Sequence, residues 1–287
     1  MTAKKKTTTK KSVPSSTTTG IDSIPLTHIQ TLPSGFVPYP EGISIYARPY
    51  TLGETRKLSG HLSPAETFKI ILAGVTVEGH EDTGFKVDLL SMNDVAYLAL
   101  TRKVLTLGSR GEVEISLSST QPGGDPCVFS RTLNFSEIEF RDFEAKAVPI
   151  TADRLGGRQN VKFWPISVHA YLNILKWFPQ RTEDELLVLA AYISEGPEGP
   201  ASKEELIANE ELISGLVGED RVLLDMVDKA LDHGAEDIEV PMTDPPPDPD
   251  SPPEVTSVRV SLSDDNLDFF RPKGGAGDDI KSRLQFG

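Results

Sequence analysis

One order of landmarks runs through this chain twice, and it restricts the fold more than any single motif does. Ile45-Tyr46-Ala47 leads into Arg48-Pro49 and a helix start at Tyr50-Thr51. Val161-Lys162-Phe163 leads into Trp164-Pro165 and a helix start at Ile166-Ser167. A capping box follows each: Ser63 to Glu66 in one half, Thr182 to Glu185 in the other. In such a box the Ser or Thr side chain and the acid three residues on satisfy each other's backbone N–H groups, which marks a helix N-terminus. Next come Val77-Glu78-Gly79 and Ser194-Glu195-Gly196. Asp94 and Asp220 follow, each fourteen residues before a glycine, Gly108 and Gly234. A strand, a Pro/Asp-rich loop and a second strand succeed each glycine. Aromatic pairs close the units, Phe140 with Phe143 and Phe269 with Phe270. Repeated order at a nearly constant offset is the signature of duplication. The expected fold is α+β: two diverged tandem copies of a helix-plus-β-hairpin unit, with disordered N- and C-terminal tails.

Hydrophobic period separates the elements. Phe68, Ile71, Leu72 and Val75 recur at helical spacing behind the Ser63 box, where Pro64 sits at the first helical position. A long helix is predicted over Leu89 to Leu107, with Met92, Val95, Leu98, Ala99, Arg102 and Leu105 as its core stripe. Then Glu112-Val113-Glu114-Ile115-Ser116-Leu117 alternates polar and apolar, which predicts a strand with one buried face. Cys127 to Leu133 is predicted as its hairpin partner. In the second half, helices are predicted over Ser167 to Phe178, behind Thr182, over Ser202 to about Asn209, and around Val222 to Leu231. Strands are expected from Ile238 and from Val255, with a proline spacer between them. The boundaries predicted are a basic tail over 1–24, a first repeat over 25–157, a second over 158–272 and a flexible tail over 273–287.

Charge is unevenly distributed. The chain of 287 residues has a formal net charge of −14, yet its first twenty residues carry five lysines and no acid. Asp244 to Pro253 reads DPPPDPDSPP, an extended acidic spacer. An acidic surface disfavours nucleic acid, since phosphate binding needs clustered cations. The lysine arm keeps open one alternative, a nucleic-acid-associated protein that uses Lys4 to Lys11. No apolar run approaches the length of a membrane span, and no apolar segment follows the N-terminal lysines. The expectation is a protein that is neither membrane-inserted nor secreted.

The residues that could carry chemistry do not converge in sequence. The five histidines, His28, His61, His80, His169 and His233, show no metal-ligand spacing. His169 is read as a packed or hydrogen-bonded helix residue. The single cysteine, Cys127, lies between Pro126 and Val128 and lacks the cationic neighbours that activate a thiolate. There is no Gly-x-Ser-x-Gly elbow and no phosphate loop. No catalytic, cofactor or metal residues are assigned, and no small-molecule substrate is expected. A second alternative is an enzyme whose site forms only in three dimensions, gathering His169, Arg48 or Asp94.

Several of these landmarks resemble a known family. Leu32-Pro33-Ser34-Gly35 with Tyr39-Pro40 is similar to the opening of T-even-type bacteriophage baseplate hub and hub-assembly proteins. Ile45 to Thr51, with Arg48-Pro49, resembles the segment that follows. The Asp94 helix with its strand–loop–strand resembles the family's central element, and Phe269-Phe270-Arg271-Pro272 its close. The resemblance covers residues 25 to 272. It implies a structural component or assembly factor of a contractile-tail baseplate hub, binding other hub or tail proteins, with no turnover. It implies the host cytoplasm during assembly, or the virion tail, as location, and leaves homo-oligomerisation open. Many members carry Cys-x-x-Cys in the strand–loop–strand; only Cys127 stands here, so no zinc site is carried over. Pro33, Gly35, Arg48, Pro49, Asp94, Phe269 and Phe270 are the candidates for folding and partner docking.

Overall fold

The computed structural model describes residues 24–60, 62–79, 83–107, 112–119, 127–134, 138–141, 143–181, 185–236, 238–244, 254–260 and 283–285. The strands within 112–134 and beyond 237 are described by their backbone alone. Phe269, Phe270, Gly108, the lysine arm, residues 182–184 of the second capping box and the proline spacer lie outside the described residues. The molecule mixes helices with small antiparallel sheets.

In the first half, β1 (Thr27–Ile29), β2 (Ser44–Ala47) and β3 (Val75–Glu78) form a three-stranded antiparallel sheet in the order β1-β2-β3. The central strand runs Ile29↔Ile45 on one side and Ala47↔Val75 on the other. Ile45 and Ala47 point into the core while Ser44 and Tyr46 stay half-exposed, as the strand period of two requires. Between β2 and β3 lie α1 (Leu52–Leu58) and α2 (Pro64–Leu72). Both open on complete capping boxes, Thr51 with Glu54 and Ser63 with Glu66. A 3-10 turn at Val87–Leu89 precedes α3 (Met92–Leu107), which starts three residues later than its periodicity suggests. Of its predicted stripe, Val95, Leu98, Ala99 and Arg102 are buried, while Met92 and Leu105 pack at the core's margin.

The hairpin β4 (Glu112–Ser119) and β5 (Cys127–Asn134) follows, in register Glu112↔Asn134 to Ser119↔Cys127. It gains a third strand. Arg283–Gln285, the last strand of the chain, pairs antiparallel with β4 through Leu284↔Ile115. That differs from the loose tail expected over 273–287: an open strand edge offers unpaired backbone groups, and an extended Arg-Leu-Gln segment satisfies them.

The second half begins with β6 (Ile150–Leu155) and β7 (Arg158–Phe163), joined by Gly156-Gly157. Both glycines have positive φ, which a two-residue hairpin turn requires. Four helices follow: α4 (Val168–Trp177), α5 (Glu185–Tyr192), α6 (Lys203–Ser214) and α7 (Glu219–Leu231). Helix α6 runs a full turn past its expected end near Asn209, because Ile213 continues the buried stripe of Leu206 and Asn209. The hairpin β8 (Ile238–Asp244) and β9 (Glu254–Val260) closes this half, and the proline spacer connects its strands.

Two contacts recur in the two halves. The Arg48 N–H donates to the Gly74 carbonyl at 3.0 Å, and the Trp164 N–H donates to the Tyr192 carbonyl at 2.8 Å. Each bond ties the residue before a proline to the residue before the next strand or bridge, since Phe163 pairs with Ile193 as Ala47 pairs with Val75. The Ser34 N–H donates to Asp94 Oδ1 at 3.1 Å, and the Gly156 N–H donates to Asp220 Oδ2 at 3.0 Å. In both cases a carboxylate in the first turn of a late helix holds the link between two strands.

The described residues form two apolar cores. One gathers Ile45, Phe68, Ile71, Leu90 and Leu98; the other gathers Phe163, Leu187, Leu206, Ile213 and Leu224. Val168 and Ala235 belong by sequence to the second half but are buried in the first core. Burying a side chain the size of Val168 is worth about 1.5–3 kcal/mol.

The tightest approach in the described residues is at Gly74. A Cβ there would lie 2.1 Å from Cζ of Arg102. The guanidinium cannot yield, because it donates to the carbonyls of Arg48, Ile70 and Ile71 at 2.7–2.9 Å. Gly74→Ala is therefore expected to cost about 2–4 kcal/mol, read as a lowered urea midpoint at unchanged slope.

Candidate functional site

Two buried polar clusters are built around Arg48 and Asp94, two of the residues singled out in the sequence. The first is built on Arg48, Glu54 and Arg102. Glu54 is the third helical residue of α1, so its carboxylate returns to the Thr51 N–H at 2.8 Å. The same carboxylate takes a forked pair from Arg48, Nη1 to Oε2 at 2.8 Å and Nη2 to Oε1 at 2.7 Å. Arg102 Nη2 adds a third contact at 3.1 Å, and its guanidinium lies 3.9 Å over the Tyr50 ring. Burial would raise the Glu54 pKa, but the Arg48 and Thr51 hydrogen bonds and the Arg102 charge outweigh it and hold the group at about 2. The donors of Arg102 are spent on carbonyls and on Glu54, and its side chain is fully buried. This cluster fastens α1, α2 and α3 together.

The second cluster is assembled from both halves. Asp94, at the start of α3, is fully buried. Its Oδ1 accepts from the Ser34 N–H, and its Oδ2 accepts from the Tyr39 hydroxyl. Burial, then the Asp94 charge and hydrogen bond, push the Tyr39 phenol well above its usual range, so it serves as donor. The Ser91 Oγ accepts from the Asp94 N–H at 3.2 Å and lies 2.9 Å from His233 Nε2. His233 Nδ1 faces the Leu231 carbonyl at 2.8 Å and must carry the proton there. In the neutral ring, Nε2 is then the acceptor for the Ser91 hydroxyl. Phe143 packs edge-on against the imidazole at 4.9 Å.

Ser91, His233 and Asp94 are the residue types of a nucleophilic triad, so their geometry matters. In a triad the carboxylate orients the imidazole through its second nitrogen. Here that nitrogen is committed to a backbone carbonyl, and Asp94 Oδ1 stands 3.6 Å from the same Nε2 that faces Ser91. Ser91 is 2% exposed, His233 1% and Asp94 0%. A substrate carbonyl has no approach to a hydroxyl so enclosed. What the arrangement does is satisfy buried polar groups where chain segments from both halves meet.

The meeting place is defined by backbone pairing. Ser91 bridges Ser167, the Met92 N–H donates to the Ile166 carbonyl at 2.9 Å, and the Val168 N–H donates to the Leu90 carbonyl at 3.0 Å. Phe140 bridges Ala235 nearby, and Arg141 pairs with Asp232. The joint thus lies between the start of α3 and the start of α4.

The sequence candidates fall as follows. Pro33 is half-buried, and its carbonyl accepts from the Phe143 N–H at 3.3 Å. Gly35 is exposed in a turn with φ +59°, its N–H on the Leu32 carbonyl. Arg48 is buried against Glu54, and half-buried Pro49 gives its carbonyl to Arg48 Nη1. Asp94 is the centre of the joint, so its part is internal; full burial removes it from any partner-facing surface. His169, half-exposed, meets Asp88 at 3.2 Å. His169, Arg48 and Asp94 thus have three different sets of hydrogen-bond partners. Cys127 opens β5 opposite Ser119. Among the described residues no group of three or more His, Cys, Asp or Glu is placed to hold a metal ion, and no helix is long and apolar enough to cross a membrane.

Sequence reasoning missed Glu54, Tyr39, Ser91 and His233 as members of these clusters. Thr51-Leu52-Gly53-Glu54 is itself a capping-box pattern and could have exposed Glu54. The pairing of Ser91 with His233 spans 142 positions and leaves no local signal. Compared with protein-family models, with curated proteins and with solved structures, the chain finds no match.

Two outcomes follow from the geometry. Asp94→Asn puts an amide N–H₂ against a donor and should cost about 2–4 kcal/mol, whereas Asp220→Asn, at a half-exposed position, should cost under about 1 kcal/mol; paired urea titrations compare them. Glu54, depressed when folded, adds stability that is full above its ordinary 4.5 and lost as pH falls towards about 2. That contribution is on the order of 2–3 kcal/mol, and a pH series of unfolding midpoints in Glu54→Gln should lack that segment of the profile.

Proposed function

We propose that the chain is a non-enzymatic structural or assembly protein of a contractile-tail phage baseplate hub, acting by protein–protein binding. It is built from two diverged copies of one α+β unit; the expected boundary at 157/158 would cut the β6–β7 hairpin, so the second copy begins with β6. The matched bonds of Arg48 with Trp164 and of Asp94 with Asp220 support the duplication. So do the N-caps Thr51 and Ser167, which each close the segment after an equivalent proline.

The observation that carries the binding role is where the polar groups go. The Ser91–Asp94–His233 cluster, the nearest thing to a reactive constellation, is sealed inside the joint. Large apolar side chains stand in solvent instead: Leu52, Leu107, Val217, Val222 and Met226. Buried polar networks with exposed apolar residues suit a protein whose work is contact.

The phage assignment rests on the hub-like opening and Arg-Pro segment. Leu32, Ser34 and Tyr39 of that opening are buried, and two of them ligate Asp94. The resembling residues Leu32, Ser34 and Tyr39 are ones that this fold uses internally.

Quantitative mass spectrometry on purified particles of the encoding phage tests the assignment. A few copies per virion are expected for a hub component. Absence from particles with tail-less lysates on gene deletion would make it an assembly factor. Absence with normal tails would overturn the baseplate reading.

A further inference from the structure

The joint between the halves has two faces, and each half carries a version of both. One face is the segment before α3, Leu90-Ser91-Met92. The other is the segment that opens α4, Ile166-Ser167-Val168. Inside the chain they pair through the Ser91–Ser167 bridge, and Val168 is fully buried as a result.

The two-copy reading identifies the counterparts. Setting Arg48-Pro49 on Trp164-Pro165 places Thr51 on Ser167 and Leu52 on Val168, each the first helical residue behind its N-cap. Setting Asp94 on Asp220 places Leu90 on Leu216, Ser91 on Val217 and Met92 on Gly218. The first half's α1 face therefore has no second half to cover it, and neither does the second half's α7 face.

The exposure follows that pattern. Leu52 is 72% exposed where Val168 is 0%, and Val217 is 79% exposed where Ser91 is 2%. Val222 and Met226, one turn apart on α7 behind Val217, are exposed as well. Leu107, 56% exposed, ends α3, whose Thr106 hydroxyl accepts from the Tyr50 N–H just before α1. Leu52 and Val217 are the two most exposed of the six large apolar side chains that stand in solvent in the described residues, and both fall at the unmatched positions.

We propose that copies of this chain assemble head to tail, the Val217 face of one docking on the Leu52 face of the next. The contact repeats the internal joint, with Val217 opposite Thr51 as Ser91 is opposite Ser167. Two different surfaces meet, so every bound copy still offers one of each, and growth runs to a ring or an open filament. The net charge of −14 opposes it, so added salt should strengthen it.

The inference rests on the duplication, and the test separates the two. Association follows mass action, so sedimentation of the full chain from about 1 to about 200 µM should show average mass rising past the dimer. Leu52→Glu and Val217→Glu, both at exposed positions, should keep their thermal midpoints and remain monomeric. Their equimolar mixture should form a dimer and nothing larger, because each supplies the face the other lacks. A wild-type monomer throughout, assembly unaffected by either substitution, or a mixture that stays monomeric would overturn the proposal. An experimental structure of the chain separates the readings. Halves that superpose beside a monomeric chain would remove only the docking; halves that do not superpose would remove the equivalence itself.

Discussion

A single buried carboxylate organises the molecule. Asp94 has no exposed surface, and a carboxyl so placed depends on hydrogen-bond donors from the chain around it. It receives the Ser34 N–H from the turn after β1 and the Tyr39 hydroxyl from the approach to β2, and its own N–H fixes Ser91. Ser91 in turn meets His233 from beyond α7 and bridges Ser167 before α4. The links from the first sheet to its long helix, and from one half to the other, pass through adjacent atoms. Loosening the carboxylate would release the turn and the start of α3, while the joint keeps the backbone bonds of Met92 with Ile166 and of Val168 with Leu90.

The Arg48–Glu54–Arg102 cluster works differently. Its carboxylate is fixed locally by the Thr51 cap as well as by the two arginines, so α1 presents an oriented anion. Arg102 crosses from α3 and spends its remaining donors on carbonyls at the end of α2. A forked arginine–carboxylate pair is directional as well as strong, which fixes the rotation of α1 rather than merely its proximity. Gly74 is the space this crossing needs.

Local grammar made much of the fold legible in the sequence. Capping boxes, the change of period at Glu112 and the breaks at proline each act within a few residues, so α2, α3, α4 and both long hairpins could be placed. The short strands β1 and β3 could not, since three or four residues carry too little periodicity, and only pairing with β2 makes them strands. The β6–β7 hairpin was within reach: Gly156-Gly157 between extended segments is a turn signal. The clusters were mostly illegible. Arg102 could be placed on a core stripe, but nothing local says that its partners are Glu54 and three carbonyls. His233 reads as one more histidine near a helix end, and its partner lies 142 positions away. Burial, which separates a structural Ser–His–Asp group from a reactive one, is a property of the packed chain alone.

The most direct measurement is native-state hydrogen exchange at the amides of Ser34, Met92 and Val168. These three report the Asp94 turn and the two backbone bonds of the joint. If the joint unites the halves around Asp94, all three exchange only through global unfolding, as slowly as the amides of α3 and α4. Fast exchange at Met92 and Val168, with both cores still protected, would mean that the halves open independently and that the joint is not what holds them as one body.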